Sequence, residues 1–444
     1  MNAAENPVAD ETGWPPRRTA WFAAIMLSLA NTLAFVDRQA LALLVQPIKL
    51  DLQASDTAMS LLYGLSFTVF YVLVGIPVAR IADRSNRRNI IAGAVFVWSV
   101  ATGLCGLARS FPTLFIARIG VGAGEGGLGP AAYSLLSDYF PKDRLPAAMG
   151  LYQMGIYLGG ALALVLGGMI ATHFPPGELV AVPLVGMVKG WQLIFLMLAL
   201  PGVMLSLPLL LIPEPKRQGA GATSDAKVPL AAFFAQVTHK WRVYLGIGIG
   251  FALMILVGNA TGAWIPAFLE RKFGMSTADI GATYGLMVFI CGVSGTLTGG
   301  FFASFLKRRG LKLANLQAAL VGFIALIPIT VSFPLVPSVG MALGLIGAMN
   351  FFAGFNFGGG LAALQEVTPN RMRALVSSGY MLLVNIIGAA GGPLAIALVT
   401  DFWFADPARL PEAIAIVCAV ASPLALVMLL VGLRGYREAL ELGN

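Results

Sequence analysis

Ala79-Arg80-Ile81-Ala82-Asp83-Arg84-Ser85-Asn86-Arg87-Arg88, residues 79–88, is a short charged interruption between two long apolar runs. The run before it covers about 58–81 and the run after it about 88–108. A helix of roughly 20 apolar residues crosses about 30 Å of hydrocarbon, so each run is long enough to span a bilayer. The same pattern recurs along the chain. Twelve spans are predicted, at about 20–46, 58–81, 88–108, 112–137, 145–171, 190–212, 243–269, 279–305, 313–333, 338–365, 374–401 and 411–433. The apolar runs are continuous rather than alternating, which predicts helices and not barrel strands.

Composition agrees. The 444 residues are 58% hydrophobic and 11% charged, with a mean hydropathy of +0.82. A soluble domain carries about 25% charged residues. The net charge of +8 is a topology signal rather than a sign of nucleic-acid binding. With both termini cytoplasmic, 21 of the 29 Lys+Arg fall in cytoplasmic segments, which predicts a multi-pass protein of the bacterial-type inner membrane oriented N-in and C-in. The polar, partly acidic first 20 residues and the length of Trp21–Val45 do not fit a cleavable signal peptide. Cys105, Cys291 and Cys418 sit inside apolar spans at no metal spacing, and His173 and His239 lie at span edges. No nucleophile–base pair or ligand cluster points to an enzyme, a cofactor or a metal.

Six spans precede the polar linker at 214–229 and six follow it. The expected organisation is a cytoplasmic tail (1–19), a six-helix bundle (20–213), a linker with a short interfacial helix over Val228–Arg242 (214–242), a second bundle (243–434) and a tail (435–444). An internal repeat supports the division. Asp138 and Pro141 after span four recur as Glu366 and Pro369 after span ten, 228 residues later, and Gly160 recurs as Gly388. The predicted fold class is an all-α membrane protein of twelve transmembrane helices in two pseudo-symmetric six-helix bundles.

Four charges sit at bilayer depth, all in the first half: Asp37, Arg38, Arg118 and Glu125. Each costs at least about 2.5–3.5 kcal/mol unless it has a partner or a watery cavity. The repeat places Ile346 and Ala353 opposite Arg118 and Glu125, so the second half lacks these charges. At about 1.5 Å per residue, Asp37 and Arg118 lie at nearly the same depth, which predicts an ion pair between them. Arg38 then points elsewhere. Arg118 and Glu125, seven residues apart, share one face about 10 Å from each other. A carboxylate in a low-dielectric site holds its proton more tightly and a nearby arginine opposes this, so Glu125 is the expected proton carrier and Asp37 the next. The Gly-rich run Arg118 to Pro130 lacks the preceding strand of a nucleotide loop, and its glycines predict close helix packing, with a bend near Pro130. In the second half, Asn259, Trp264, Phe355, Asn356 and Asn385 are expected cavity residues, and Phe289, Phe351, Phe352 and Phe357 are further aromatics that could meet an acyl tail.

The 79–88 loop resembles the signature loop of the major facilitator superfamily, with Ala79 where that loop usually begins with Gly. The resemblance implies two bundles that rock between inward and outward states, braced by Asp83 with Arg84, Arg88, Asp138 and Glu366. The run Ala34 to Gln39, the loop Asp83–Arg88, and Arg118 through Pro141 are similar to the spinster branch. That branch implies a proton-coupled carrier of lysophospholipids or sphingolipid-like amphiphiles, acting as a monomer among membrane lipids, with Asp37, Arg118 and Glu125 in its polar cavity. A multidrug or amphipathic-cation antiporter and an organic-anion symporter are the alternatives.

Overall fold

The computed structural model describes residues 14–82, 84–141, 143–183, 185–217, 230–311, 313–356, 359–369 and 372–441. Asp83 lies outside them, as do residues 218–229 of the linker. In chain order the helices are α1 (Arg17–Leu52), α2 (Asp56–Ser60), α3 (Ser66–Ala82), α4 (Arg87–Cys105), α5 (Phe111–Glu125), α6 (Leu128–Tyr139), α7 (Leu145–His173) and α8 (Gly190–Leu209). Then follow α9 (Leu230–His239), α10 (Trp241–Phe273), α11 (Thr277–Arg308), α12 (Ala314–Ser332), α13 (Val339–Ala353), α14 (Gly359–Glu366), α15 (Arg373–Leu383), α16 (Gly391–Leu398) and α17 (Leu410–Glu441). A two-stranded hairpin, β1 (Leu179–Val182) and β2 (Gly186–Lys189), is the sheet found among the described residues.

Every expected span falls on helix. Among the described residues, ten helical stretches are long and apolar enough to cross a membrane without interruption. The other two spans are each broken in the middle. Helix α5 stops at Glu125 and α6 starts at Leu128. Pro130 has no N–H to give the Gly126 carbonyl, and Gly126-Gly127 accept the resulting turn cheaply. The internal repeat is visible here: α5 runs from Phe111 to Glu125 and α13 from Val339 to Ala353, 228 residues later at both ends.

The chain divides into two compact units, residues 1–54 with 66–224, and residues 55–65 with 225–444. In the first, α1 packs on α7, α4 on α8 and α5, and α3 on α5. A box between Ser110 and Thr113 caps the start of α5, satisfying donors at a helix end. The glycines of α5 let its neighbours approach closely. A Cβ on Gly122 would stand 2.5 Å from the Phe67 carbonyl oxygen on α3, and one on Gly124 would stand 2.8 Å from the Trp98 backbone on α4. Backbone cannot yield as a flexible side chain does, so Gly122→Ala is expected to cost about 1–3 kcal/mol. Gly93→Ala, whose Cβ meets nothing within 4 Å, serves as the silent control. Apparent melting temperatures of the purified variants check both.

The second unit differs from the expected bundle boundary in one respect. Residues 55–65, the start of span two, group with it. The buried Asp56 carboxylate takes both terminal nitrogens of Arg271 at 2.8 Å, and the Thr57 N–H donates to Asp401 at 2.6 Å. Bidentate pairing of this kind holds a segment more firmly than apolar contact alone. Within the unit α10 packs along α17, α11 on α13, and α12 on both α13 and α17. A short helix, α9, precedes α10 and is separated from it at Lys240.

Candidate functional site

All four intramembrane charges of the first unit converge where α1 faces α5, but they do not pair as depth alone predicts. No ion pair joins Asp37 to Arg118. The Arg118 guanidinium instead donates from Nη1 and Nη2 to the Asp37 backbone carbonyl, each at 3.3 Å. Arg38 is the residue that makes the ion pair. Its Nε and Nη2 both donate to Glu125 Oε2, at 2.8 and 2.6 Å. Adjacent residues on a helix point about 100° apart, and here Arg38 rather than Asp37 makes the close pair with an α5 side chain. The depth argument brings the right helices together but does not settle which side chains pair.

The geometry leaves unused hydrogen-bonding capacity. Glu125 Oε1 and Arg118 Nε are buried and have no partner among the described residues. Such atoms are rare in folded proteins because each carries a desolvation cost of about 1–3 kcal/mol. The Glu125 side chain is fully buried, whereas that of Arg38 is 29% exposed. Arg38 is therefore the more accessible member of the pair. Its guanidinium stacks near the rings of Phe35, Phe67 and Tyr71, at 4.8, 4.4 and 5.3 Å from their centroids. Arg118 lies 5.2 Å from the Phe195 ring.

The second unit contributes less than the sequence suggests. Trp264 is 2% exposed, and its indole donates to the Pro393 carbonyl at 3.1 Å, which makes it a core residue. The amides of Asn259 and Asn385 donate back to the Ile255 and Met381 carbonyls of their own helices. Such bonding satisfies a polar side chain inside an apolar span without a ligand. Phe355 clusters with Phe302, Phe351 and Phe352. The Asn356 side chain and Phe357 lie outside the described residues.

The charges expected at the conformational brace pair differently. Asp83 lies outside the described residues. Arg84 is exposed, and Arg88 donates to Asn89 Oδ1 at 3.0 Å rather than to an acid. The residue that carries the network is Arg87, 1% exposed. Its Nη1 donates to Asp138 at 2.5 Å and to Ser134 at 2.8 Å, and its Nε donates to Glu214 at 2.7 Å. The Glu214 carboxylate also accepts the Arg88 backbone N–H. In the second unit Glu366 accepts the Tyr436 hydroxyl at 2.5 Å. Arg87 and Glu214 were legible only in part: Asn86 is a good helix cap, which marks Arg87 as the first helical residue, but nothing in the sequence shows that it turns inward.

Two helical units, broken helices at equivalent positions and a buried charge cluster in one unit define a membrane transporter of the two-bundle class. Residues 27–393 match the model of the Major Facilitator Superfamily, and the chain belongs to that family. It is 30% identical over 400 residues to an MFS-type efflux pump of Mycolicibacterium smegmatis, spanning 90% of this chain and 88% of the relative. It is 24% identical to a hexuronate transporter of Bacillus subtilis, spanning 83% and 86% of the two chains. Among solved structures it is similar to a bacterial homologue of the human lysosomal transporter spinster in an inward-facing, unoccupied conformation. The TM-score is 0.75, with 28% identity over 96% of this chain and 97% of that one. The protein is thus a multi-pass transporter with a spinster-like fold.

Proposed function

We propose that the protein carries an anionic amphiphile, of the lysophospholipid or sphingolipid-like class, together with a proton by alternating access of its two halves. The observation that supports this reading is the Arg38–Glu125 pair, with a partly exposed cation in front of a fully buried acid. An anionic headgroup that draws Arg38 toward itself leaves Glu125 buried without its counter-charge. An uncompensated buried carboxylate is neutralised by taking a proton rather than remaining charged. Headgroup binding and proton uptake are then one event, and release of the headgroup returns Arg38 to Glu125 and expels the proton. Arg118, with a free Nε at the same site, is the second anchor for the anion. Asp37 is the second buried carboxyl of the cluster. The site lies in a single-chain, monomeric carrier of the inner membrane with both termini cytoplasmic, the orientation favoured by its Lys+Arg bias.

The relationship to a hexuronate transporter supports a second reading, symport of a small organic anion through the same arginines. Gradient-driven uptake in proteoliposomes separates them. Labelled lysophosphatidylglycerol is expected to enter wild-type vesicles when a proton gradient is imposed, and Glu125→Gln is expected to lose that dependence. Uptake of glucuronate with no movement of lysolipid would overturn the lipid assignment and leave the proton step to be read on glucuronate. Gradient dependence that survives in Glu125→Gln would remove Glu125 as the carrier.

A further inference from the structure

At the end of the second unit that holds the C-terminus, α12 and α17 do not close fully against each other. Between them lies a groove of about 440 Å³, within the range of about 300–1,000 Å³ typical of small-molecule sites. Its walls are apolar, with Leu320 from α12 and Leu433 from α17, and its mouth carries Arg434 and Arg437 from successive turns of α17. Glu438 also borders it, but that carboxylate is turned to Arg242, 3.2 Å away. Arg434 and Arg437 make no ion pair among the described residues, so the mouth keeps two cationic charges. One more group is unexplained. Gln317 borders the same groove, and its Oε1 is buried with no hydrogen-bond partner among the described residues. An acceptor left dry in an apolar wall calls for a donor from whatever fills the space.

We propose that this groove binds an anionic phospholipid of the leaflet next to the C-terminus, with a hydroxyl-bearing headgroup of the phosphatidylglycerol type. The phosphate sits on Arg434 and Arg437, where a basic pocket at the membrane surface attracts anionic lipid. A headgroup hydroxyl donates to Gln317, and one acyl chain lies along Leu320 and Leu433. The site is remote in sequence and unit from the Arg38–Glu125 cluster, so it holds a resident lipid rather than the transported molecule.

Native mass spectrometry of the full-length protein, released from detergent with equal phosphatidylglycerol and phosphatidylcholine, tests this directly. Wild type is expected to retain phosphatidylglycerol preferentially. Arg434→Gln/Arg437→Gln is expected to weaken retention by about thirtyfold, two surface cations being lost. Leu320→Trp, which fills the groove and leaves every charge in place, is expected to weaken it as well. Arg308→Gln/Arg309→Gln removes the same charge outside the groove and is expected to leave retention unchanged. Equal retention of the two lipids by wild type, or equal losses in the two arginine pairs, would overturn the site in favour of a general surface charge. Undiminished retention in a folded Leu320→Trp protein would overturn the groove itself.

Discussion

Arg87→Ala is expected to destabilise the first unit by about 3–5 kcal/mol, among the largest single-residue effects in the protein. The guanidinium is 1% exposed and serves Asp138, Ser134 and Glu214 at once. Removing it takes from the almost wholly buried Asp138 carboxylate the guanidinium that it meets at 2.5 Å. Glu214 is more open and can turn to solvent, so the penalty falls mainly on Asp138. That asymmetry makes the origin of the loss testable. Asp138→Leu introduced with Arg87→Met replaces the pair by apolar volume and is expected to recover most of the lost stability, since a buried pair often gains little over such a replacement. The Arg409–Glu412 pair is a useful contrast: both side chains are exposed, and Arg409→Ala is expected to melt close to the wild type. Thermal unfolding of the three variants in one detergent decides the matter. If Arg87→Ala melts with the wild type, or the double variant melts below the single one, the network does not hold the unit together.

What the sequence makes legible follows from what is linear along a helix. Length and hydropathy fix a span, and the twelve expected spans coincide with helices because apolar length is the whole requirement for crossing. The break in span four was also readable, since Pro130 withdraws a donor and two glycines precede it. Depth is linear too, which is why Asp37 and Arg118 were brought to nearly the same level, with Glu125 about 10 Å further along the same face. Azimuth between two helices is not. It depends on how each helix is turned about its axis, which packing residues such as Gly122 and Gly124 decide against α3 and α4. So Arg38 took the place at Glu125 that depth alone could not assign. Arg87 was hidden for the same reason: three of its neighbours in the loop are basic, and the one that points inward is set by the helix beginning at Asn86. Trp264 was misread because an aromatic at helical spacing looks the same in a core as in a cavity, and only the Pro393 carbonyl distinguishes them. The contacts of residues 55–65 with the second unit were not legible, because Asp56 and Arg271 lie 215 positions apart, beyond the reach of any local pattern.

Arg38→Ala is expected to abolish gradient-driven transport and to lower the melting temperature, for one reason. The substitution leaves Glu125 with no donor on either oxygen, because Oε1 already has none and Oε2 loses both. The cost lies toward the lower end of the range of about 3–5 kcal/mol for a broken buried pair, since Arg38 is itself partly exposed. Arg38→Lys keeps the charge but not the two-pronged contact or the stacking on Phe67, and is expected to fall between alanine and wild type. Arg38→Ala/Glu125→Gln separates structure from coupling. With the acid neutralised no counter-charge is needed, so the double variant is expected to regain most of its melting temperature. It has lost both the group that takes the anion and the group that takes the proton, so gradient-driven uptake is expected to stay absent. A static brace predicts the opposite pairing: a double variant that regains stability would regain transport with it. Recovery of gradient-driven uptake in Arg38→Ala/Glu125→Gln would therefore make the pair structural and move the proton to Asp37, the remaining buried carboxylate of the cluster.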